Sequence, residues 1–257
     1  MKQGQKLWTR EELILAVNLY CKLPFGRLHY RNPLIAELAN LIGRTPSSVA
    51  LKLVNFASLD PSLKERGIKG AQNASKLDKE IWNEFYENWS DLSFESEKQL
   101  AIKSNSSIEK MNSIDENELP QDGKTREQLV KVRVNQSFFR KAILAAYNNT
   151  CCITGIQRPE LLIAGHIKPW ALDEKNRLNP RNGIAINALH DKAYESGLIS
   201  ISPDYKIKIS SELKKLNNQN GIFDYFVKYE DKEIILPDRF LPDKEFLQYH
   251  YYERFKQ

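Results

Sequence analysis

The chain has 257 residues and a net charge of +5, with 41% hydrophobic and 28% charged residues. This composition is typical of a globular protein and excludes collagen, coiled-coil and wholly disordered chains. The longest apolar runs fall far short of the roughly 18 residues that span a bilayer. Residues 1–10 lack the apolar stretch of a signal peptide. We therefore expect a cytoplasmic protein with no membrane helix.

Three cysteines, Cys21, Cys151 and Cys152, exclude a disulfide scaffold, because an adjacent pair cannot close an ordinary disulfide without strain. No C-x-x-C pair is present, so a zinc clip built on cysteines is also excluded. Positive charge concentrates between residues 126 and 182, which hold ten Lys or Arg against four Asp or Glu. This favours a polyanionic partner, and a solvated basic face is the alternative.

The first elements predicted are three helices. Thr9 and Glu12 form a capping-box pair that starts the first helix, which runs to Pro24. The Asn32-Pro33 pair opens a second helix that Gly43 ends, and Thr45-Pro46 opens a third. The short connection between the last two is typical of a helix-turn-helix. A plain helical bundle is the alternative.

A further helix is predicted after Ser75 and Asp78, with Ile81, Phe85 and Trp89 on its core face. The chain then becomes rich in Ser, Asn, Glu and Lys, which is typical of a linker. We therefore divide it into a helical domain over residues 1–95, a polar linker over 96–125 and a second domain over 126–257.

The second domain is predicted to begin with a helix near residues 136–147. Two strands follow, over residues 151–154 and 161–167, separated by a turn at Gly155. A brief apolar run over residues 183–186 precedes a helix that Asn187 caps and Gly197 ends. A hairpin over residues 198–209 comes next. The fold class predicted is α+β.

Three polar residues stand at the ends of these elements: His166, Asn182 and His190. A strand-borne imidazole can act as a general base on water, and a helix-borne imidazole can hold a divalent cation against a phosphate. Asn182 can brace the loop between them. Each histidine alone is more often structural, and the combination is what points to chemistry.

The segments that contain these residues resemble the HNH endonucleases. They read CCITG from Cys151, AGHIKPW from Ala164, NPRNGI from Asn179 and LHDKAY from Leu189. The resemblance covers roughly residues 130–210. It implies a ββα-metal unit that hydrolyses phosphodiester bonds of double-stranded DNA with a divalent metal, Mg²⁺ or Mn²⁺.

The resemblance also implies residue roles. His166 would be the general base, Asn182 would hold the loop in catalytic geometry, and His190 would ligate the metal. Many relatives carry a second ligand just before the base, where this chain has Gly165. Asp191 and Glu195 could supply a carboxylate, although we favour a surface role for them. His250, in a predicted C-terminal helix, is interpreted as structural.

The N-terminal segment resembles the helical domain that precedes HNH modules in bacterial restriction endonucleases. This implies that residues 1–95 read DNA, by sequence or by base modification. The candidate DNA-binding residues are Arg44, Ser47, Ser48 and Lys52 in the N-terminal domain and Lys168, Arg177 and Arg181 near the catalytic residues.

The leading hypothesis is a restriction-type endonuclease. Since the chain holds one catalytic constellation, we expect either a homodimer that cuts both strands or a nickase. The alternative is a DNA-binding regulator whose HNH unit has lost activity, which Gly165 favours. An RNA nuclease is disfavoured by the DNA-reader-like N-terminus.

Overall fold

The computed structural model describes residues 6–67 and 74–257 of the chain. The signal-peptide expectation falls in part on residues 1–5, outside the described residues. The chain divides between Ala142 and Ile143 into two compact units. Among the described residues, no helix has the length and apolar character needed to cross a bilayer. The α+β class predicted from the sequence is confirmed.

The N-terminal unit is helical. Its helices are α1 (Arg10–Lys22), α2 (Pro33–Leu41), α3 (Pro46–Ala57), α4 (Pro61–Glu65), α5 (Lys76–Glu87), α6 (Trp89–Lys103), α7 (Ile108–Met111) and most of α8 (Gly123–Ala146). The predicted caps are confirmed. Thr9 and Ser75 each form a complete capping box, and Asn32 and Thr45 cap α2 and α3 with proline in the first turn.

Helix α1 forms the centre of this unit. Its residues Leu13 to Val17 are fully buried around the whole helix, and α2, α3, α5 and α6 pack against it. A helix buried on all sides needs apolar residues on all faces, which this run supplies. Tyr20 packs against Trp82, with ring centroids 5.6 Å apart, and Trp82 stacks on Phe56 at 6.0 Å.

The segment predicted as a polar linker is largely ordered helix that packs on its neighbours. In α6, Ser93, Ser96 and Glu97 are buried although they are polar. Asn18 of α1 donates to Ser96 Oγ at 2.6 Å and to Glu97 Oε1 at 2.7 Å. Buried hydrogen bonds therefore hold this polar helix against α1, and the two compact units divide near residue 142.

The C-terminal unit contains the end of α8 and the elements β1 (Leu162–His166), β2 (Gly183–Asn187), α9 (Ala188–Glu195), β3 (Ile199–Ile201), β4 (Ile207–Ile209), α10 (Ser211–Lys214), α11 (Asn220–Tyr225) and α12 (Lys244–Tyr249). A π-helical turn, His250–Arg254, extends α12. Strands β1 and β2 pair antiparallel with Gly165 opposite Ile184, and β3 and β4 form the predicted hairpin.

Helix α9 packs against β1 and β2, so the ββα unit consists of β1, β2 and α9. The predicted strand over residues 151–154 is wrong. This segment is a turn, closed by a hydrogen bond from Gly155 N to Cys151 O at 3.0 Å, with Gly155 at φ +74°. Its apolar residues are buried because Cys152 N donates to Ala185 O of β2 at 2.7 Å. All three cysteines are buried and reduced.

Candidate active site

His166 is the last residue of β1 and lies half-buried at the edge of a cavity of about 410 Å³. Its Nε2 lies 2.8 Å from the carbonyl oxygen of Arg177, to which a protonated Nε2 donates. This hydrogen bond selects the tautomer that places the lone pair on Nδ1. The indole of Trp170 packs edge-on against the imidazole at 5.4 Å. Burial lowers the pKa of His166, which keeps the ring neutral and able to accept a proton.

Asn182 is buried immediately before β2 and holds the loop that follows His166. Its Oδ1 accepts from Lys168 N at 2.8 Å. Its Nδ2 donates to Lys168 O at 3.1 Å and to Asn176 O at 3.2 Å. Three hydrogen bonds of one amide therefore join Asn182 to Lys168 and Asn176 in the loop between β1 and β2.

His190, in the first turn of α9, is buried and does not line the cavity next to His166. Its Nδ1 lies 2.6 Å from Asn187 Nδ2, and its Nε2 lies 2.6 Å from Tyr225 O. An amide nitrogen can only donate and a carbonyl can only accept, so Nδ1 accepts and Nε2 carries the proton. Both nitrogens are thereby engaged, and the arrangement gives no support to the metal-ligand role predicted for His190.

Asp191, the next residue on α9, lines the cavity together with His166 and Glu195. It is partly buried, and burial followed by the nearby charge of Glu195 raises its pKa to about 6. A surface role was favoured from the sequence, and the structure instead places this carboxylate in the cavity. The sequence signal for this position is the helical period of α9, which shows which residues share a face of the helix. The strands β1 and β2 then determine which face is covered.

The basic residues predicted near the catalytic residues are held by local partners. Lys168 Nζ lies 3.0 Å from Asp173, Arg177 lies 3.1 Å from Glu174, and Arg181 lies 3.2 Å from Asp243. The first two ion pairs lie within the loop after β1, and the third joins the end of that loop, before β2, to Asp243. The three cations thus contribute to the shape of the loop.

Two basic residues that sequence reasoning missed line the cavity instead: Lys192 of α9 and Arg254 of the C-terminal π-helical turn. Lys192 is 79% exposed at its side chain. Arg254 donates to Glu195 O at 3.3 Å, which places it at the end of α9. Lys192 stands two residues after His190 and could have been considered, whereas Arg254 reaches the cavity only through tertiary packing.

His250 also lines this cavity but its ring is built into the core. It stacks on Tyr194 with ring centroids 3.6 Å apart. Its Nε2 donates to Tyr194 O at 3.1 Å, and its Nδ1 accepts from Ser200 Oγ at 2.8 Å. Burial lowers the pKa of His250 to about 4. The structural interpretation made from the sequence agrees with this geometry.

Three of the four predicted DNA readers of the N-terminal unit, Arg44, Ser48 and Lys52, line a separate cavity of about 790 Å³. Arg44 stacks on Trp8 at 4.0 Å from the ring centroid and pairs with Glu12 at 2.6 Å, leaving 6% of its side chain exposed. Lys52 is buried and lies 2.8 Å from Asp78.

The prediction that Lys52 is an exposed reader is therefore wrong, and Arg44 is equally enclosed, because their charges are neutralised inside the helical unit. Of the four candidates, Ser47 is exposed in the first turn of α3 and Ser48 is partly exposed there.

The comparison with known families agrees with the resemblance stated from the sequence. The profile of the family HNH_2, described as HNH endonuclease, matches residues 151–202. These residues include β1, β2 and α9, with His166, Asn182 and His190. No curated protein matches the chain.

The HNH family implies a divalent cation. The donors around the cavity fit a cation that has only one or two protein ligands. Asp191 and Glu195 offer carboxylate oxygens in the same cavity that His166 lines. Within the described residues, no three His, Cys, Asp or Glu side chains are arranged as a metal site. Magnesium is often held by one or two carboxylates with water and substrate phosphate as the remaining ligands, and this donor set fits that arrangement.

Proposed function

We propose that this chain, whose residues 151–202 form an HNH endonuclease domain, is a metal-dependent endonuclease of restriction type that hydrolyses phosphodiester bonds in double-stranded DNA. The domain itself indicates nuclease activity. The restriction type, the dependence on Mg²⁺ or Mn²⁺ and the reading of DNA by the N-terminal unit are the parts that we propose.

The observation that carries the proposal is the orientation of His166. The Arg177 carbonyl accepts the Nε2 proton at 2.8 Å, so the lone pair is on Nδ1 in a ring whose pKa is lowered by burial. A neutral, oriented imidazole at the mouth of a cavity is what a general base requires.

In the proposed reaction, His166 accepts a proton at Nδ1 from the water that attacks the phosphorus. Its Nε2–H remains hydrogen-bonded to the Arg177 carbonyl. Asn182 keeps that carbonyl in place through the loop, since it bonds both Lys168 and Asn176. Lys192 and Arg254 at the cavity contact the phosphate backbone. A bound divalent cation would neutralise charge that develops on the phosphate and the departing oxygen.

For the N-terminal unit we propose contact with duplex DNA through the exposed start of α3. Helix α3 follows α2 after four residues, as the second helix of a helix-turn-helix does. Ser47 and Ser48 lie in its first turn, where hydroxyl groups can reach base edges or phosphates. Arg44 and Lys52 would act indirectly, because they hold Trp8 and α5 in place around that helix.

The second candidate function is a DNA-binding regulator without cleavage activity. The engaged ring nitrogens of His190 favour it, because a residue implied to ligate the metal is committed to Asn187 and Tyr225. The two functions differ in whether purified protein cuts DNA.

The test uses the full-length protein and a His166→Ala variant with modified phage DNA and unmodified plasmid, each with Mg²⁺, Mn²⁺ or EDTA. Loss of a general base is expected to lower cleavage by about 10²- to 10⁴-fold while DNA binding remains. Discrete fragments from the wild-type protein only, abolished by EDTA, are the expected result. Binding without cutting under every condition would instead establish the regulator.

A further inference from the structure

The backbone of β1 leaves space beside the catalytic histidine, and a carboxylate from α9 fills it. Gly165 immediately precedes His166 and has no side chain. A Cβ built on Gly165 would lie 2.7 Å from Asp191 Oδ1 and 3.3 Å from Ile186 Cγ2. Atoms do not approach so closely, so the carboxylate can occupy its position only because residue 165 is glycine.

The carboxylate of Asp191 has no competing partner. No hydrogen bond or ion pair joins its side chain to another residue in the described ranges 6–67 and 74–257. It lines the same cavity as His166 and is only partly exposed. A partly buried carboxylate without a donor is costly unless a cation or water satisfies its oxygens.

The neighbouring histidine differs in both respects. His190 lies outside the cavity lining, and both of its ring nitrogens are engaged within the core. To bind a metal, it would have to release Asn187 and the Tyr225 carbonyl. Of two consecutive residues on α9, the first is therefore built into the core and the second faces the cavity.

We propose that Asp191, and not His190, is the protein ligand that holds the divalent cation beside His166, and that Gly165 is required to admit this carboxylate. The proposal rests on the proposed nuclease function. Carboxylate oxygen is the donor that Mg²⁺ and Mn²⁺ prefer, and water and a DNA phosphate would supply the other ligands.

Cation binding can be measured apart from cleavage through Trp170, which lines the same cavity. The Tb³⁺ ion prefers oxygen ligands and serves as a probe for the divalent cation. It luminesces when a nearby tryptophan is excited. Full-length protein is titrated with Tb³⁺, and Mg²⁺ and Mn²⁺ are used as competitors. A Trp170→Phe variant identifies the emission that comes from this cavity, since Trp8, Trp82 and Trp89 belong to the other unit.

The decisive variant is Asp191→Asn, which keeps the shape of the side chain and removes its charge. We expect it to weaken Tb³⁺ and Mn²⁺ binding at the cavity by at least about tenfold, as loss of groups around a metal typically does. Asp224→Asn is the matched control, because Asp224 is an exposed aspartate of the same unit that does not line the cavity. It should bind as the wild type does.

Gly165→Ala supplies an independent test that leaves every carboxylate in the chain. Its Cβ would displace the Asp191 carboxylate, the end of a flexible side chain, so the fold should be retained and cation binding weakened. Thermal unfolding of each variant confirms that it is folded.

Unchanged binding in folded Asp191→Asn, or no Trp170-dependent emission from the wild type, would overturn the assignment even if the protein cuts DNA. Weakened binding in Asp191→Asn supports it, and failure of the wild type to cut DNA would then count against the nuclease function alone.

Discussion

At the scale of single residues, hydrogen-bond partners separate two histidines that look alike in the sequence. The Nε2 of His166 donates a hydrogen bond to the Arg177 carbonyl, and the ring lines a cavity. His190 is buried between Asn187 and the Tyr225 carbonyl and packs against Phe226, with ring centroids 5.3 Å apart. The ring of His166 lies at the cavity, where water or substrate can reach it, whereas the ring of His190 lies in the core and stabilises the fold.

This distinction predicts the effect of His190→Ala. The substitution removes two buried hydrogen bonds and leaves a cavity beside Phe226, so we expect the free energy of unfolding to fall by about 3 kcal/mol. Urea unfolding followed by circular dichroism measures it. His29→Ala is the control, because His29 is exposed and its loss should change stability by less than about 0.5 kcal/mol. Full stability with lost cation binding would assign His190 to the metal after all.

At the scale of elements, the residues that cap the helices can be predicted from local sequence. The burial of a polar helix cannot be predicted in this way. The caps at Thr9, Asn32, Thr45 and Ser75 involve residues within three positions of one another, so a short window of sequence contains the whole interaction. Helix α6 is rich in Ser and Glu, and its burial depends on Asn18, nearly 80 residues away. No local pattern distinguishes such a helix from a linker.

The buried ion pair between α3 and α5 yields a prediction at this scale. Asp78 is fully buried, binds Lys52 at 2.8 Å and completes the capping box of Ser75. Asp78→Ala would leave a buried lysine charge unpaired, so we expect a loss of about 3–5 kcal/mol in the free energy of unfolding.

The matched control for that substitution is Asp91→Ala. Asp91 also lies in the first turn of a helix and pairs with Lys131, but 58% of its side chain is exposed. An exposed pair contributes at most about 1 kcal/mol. Chemical denaturation of both variants gives the comparison, and equal losses would show that burial does not determine the strength of the α3–α5 pair.

At the scale of the whole molecule, the number of candidate active sites limits what one chain can do. The described residues contain one ββα unit, with His166 at its cavity. Hydrolysis of two DNA strands requires two such centres or two successive events. Whether both strands are cut in one event therefore depends on assembly, in the way that symmetric dimers pair their active sites.

This predicts a dependence of the products on protein concentration. Where the protein is monomeric, supercoiled plasmid should first become nicked circles, and linear DNA should form without this intermediate only where dimers form. Agarose electrophoresis of the products, with analytical ultracentrifugation at the same concentrations, relates the two. Linear DNA formed directly by a monomeric protein would contradict the single-centre interpretation.

The sequence by itself determined the helix caps, the β3–β4 hairpin, the position of β1 and the HNH pattern around His166 and Asn182. These features depend on residues that are close in the chain or on the spacing of a motif. Both can be recognised in the amino-acid sequence alone.

Tertiary structure decided which side chains share a cavity. The Asp191 carboxylate lies against Gly165 and lines the same cavity as His166, and Arg254 reaches that cavity from the C-terminal π-helical turn. Tertiary structure also enclosed Arg44 and Lys52, since their partners Glu12 and Asp78 come from other helices. The direction of a side chain depends on what packs against its element, and that information is spread over the whole sequence.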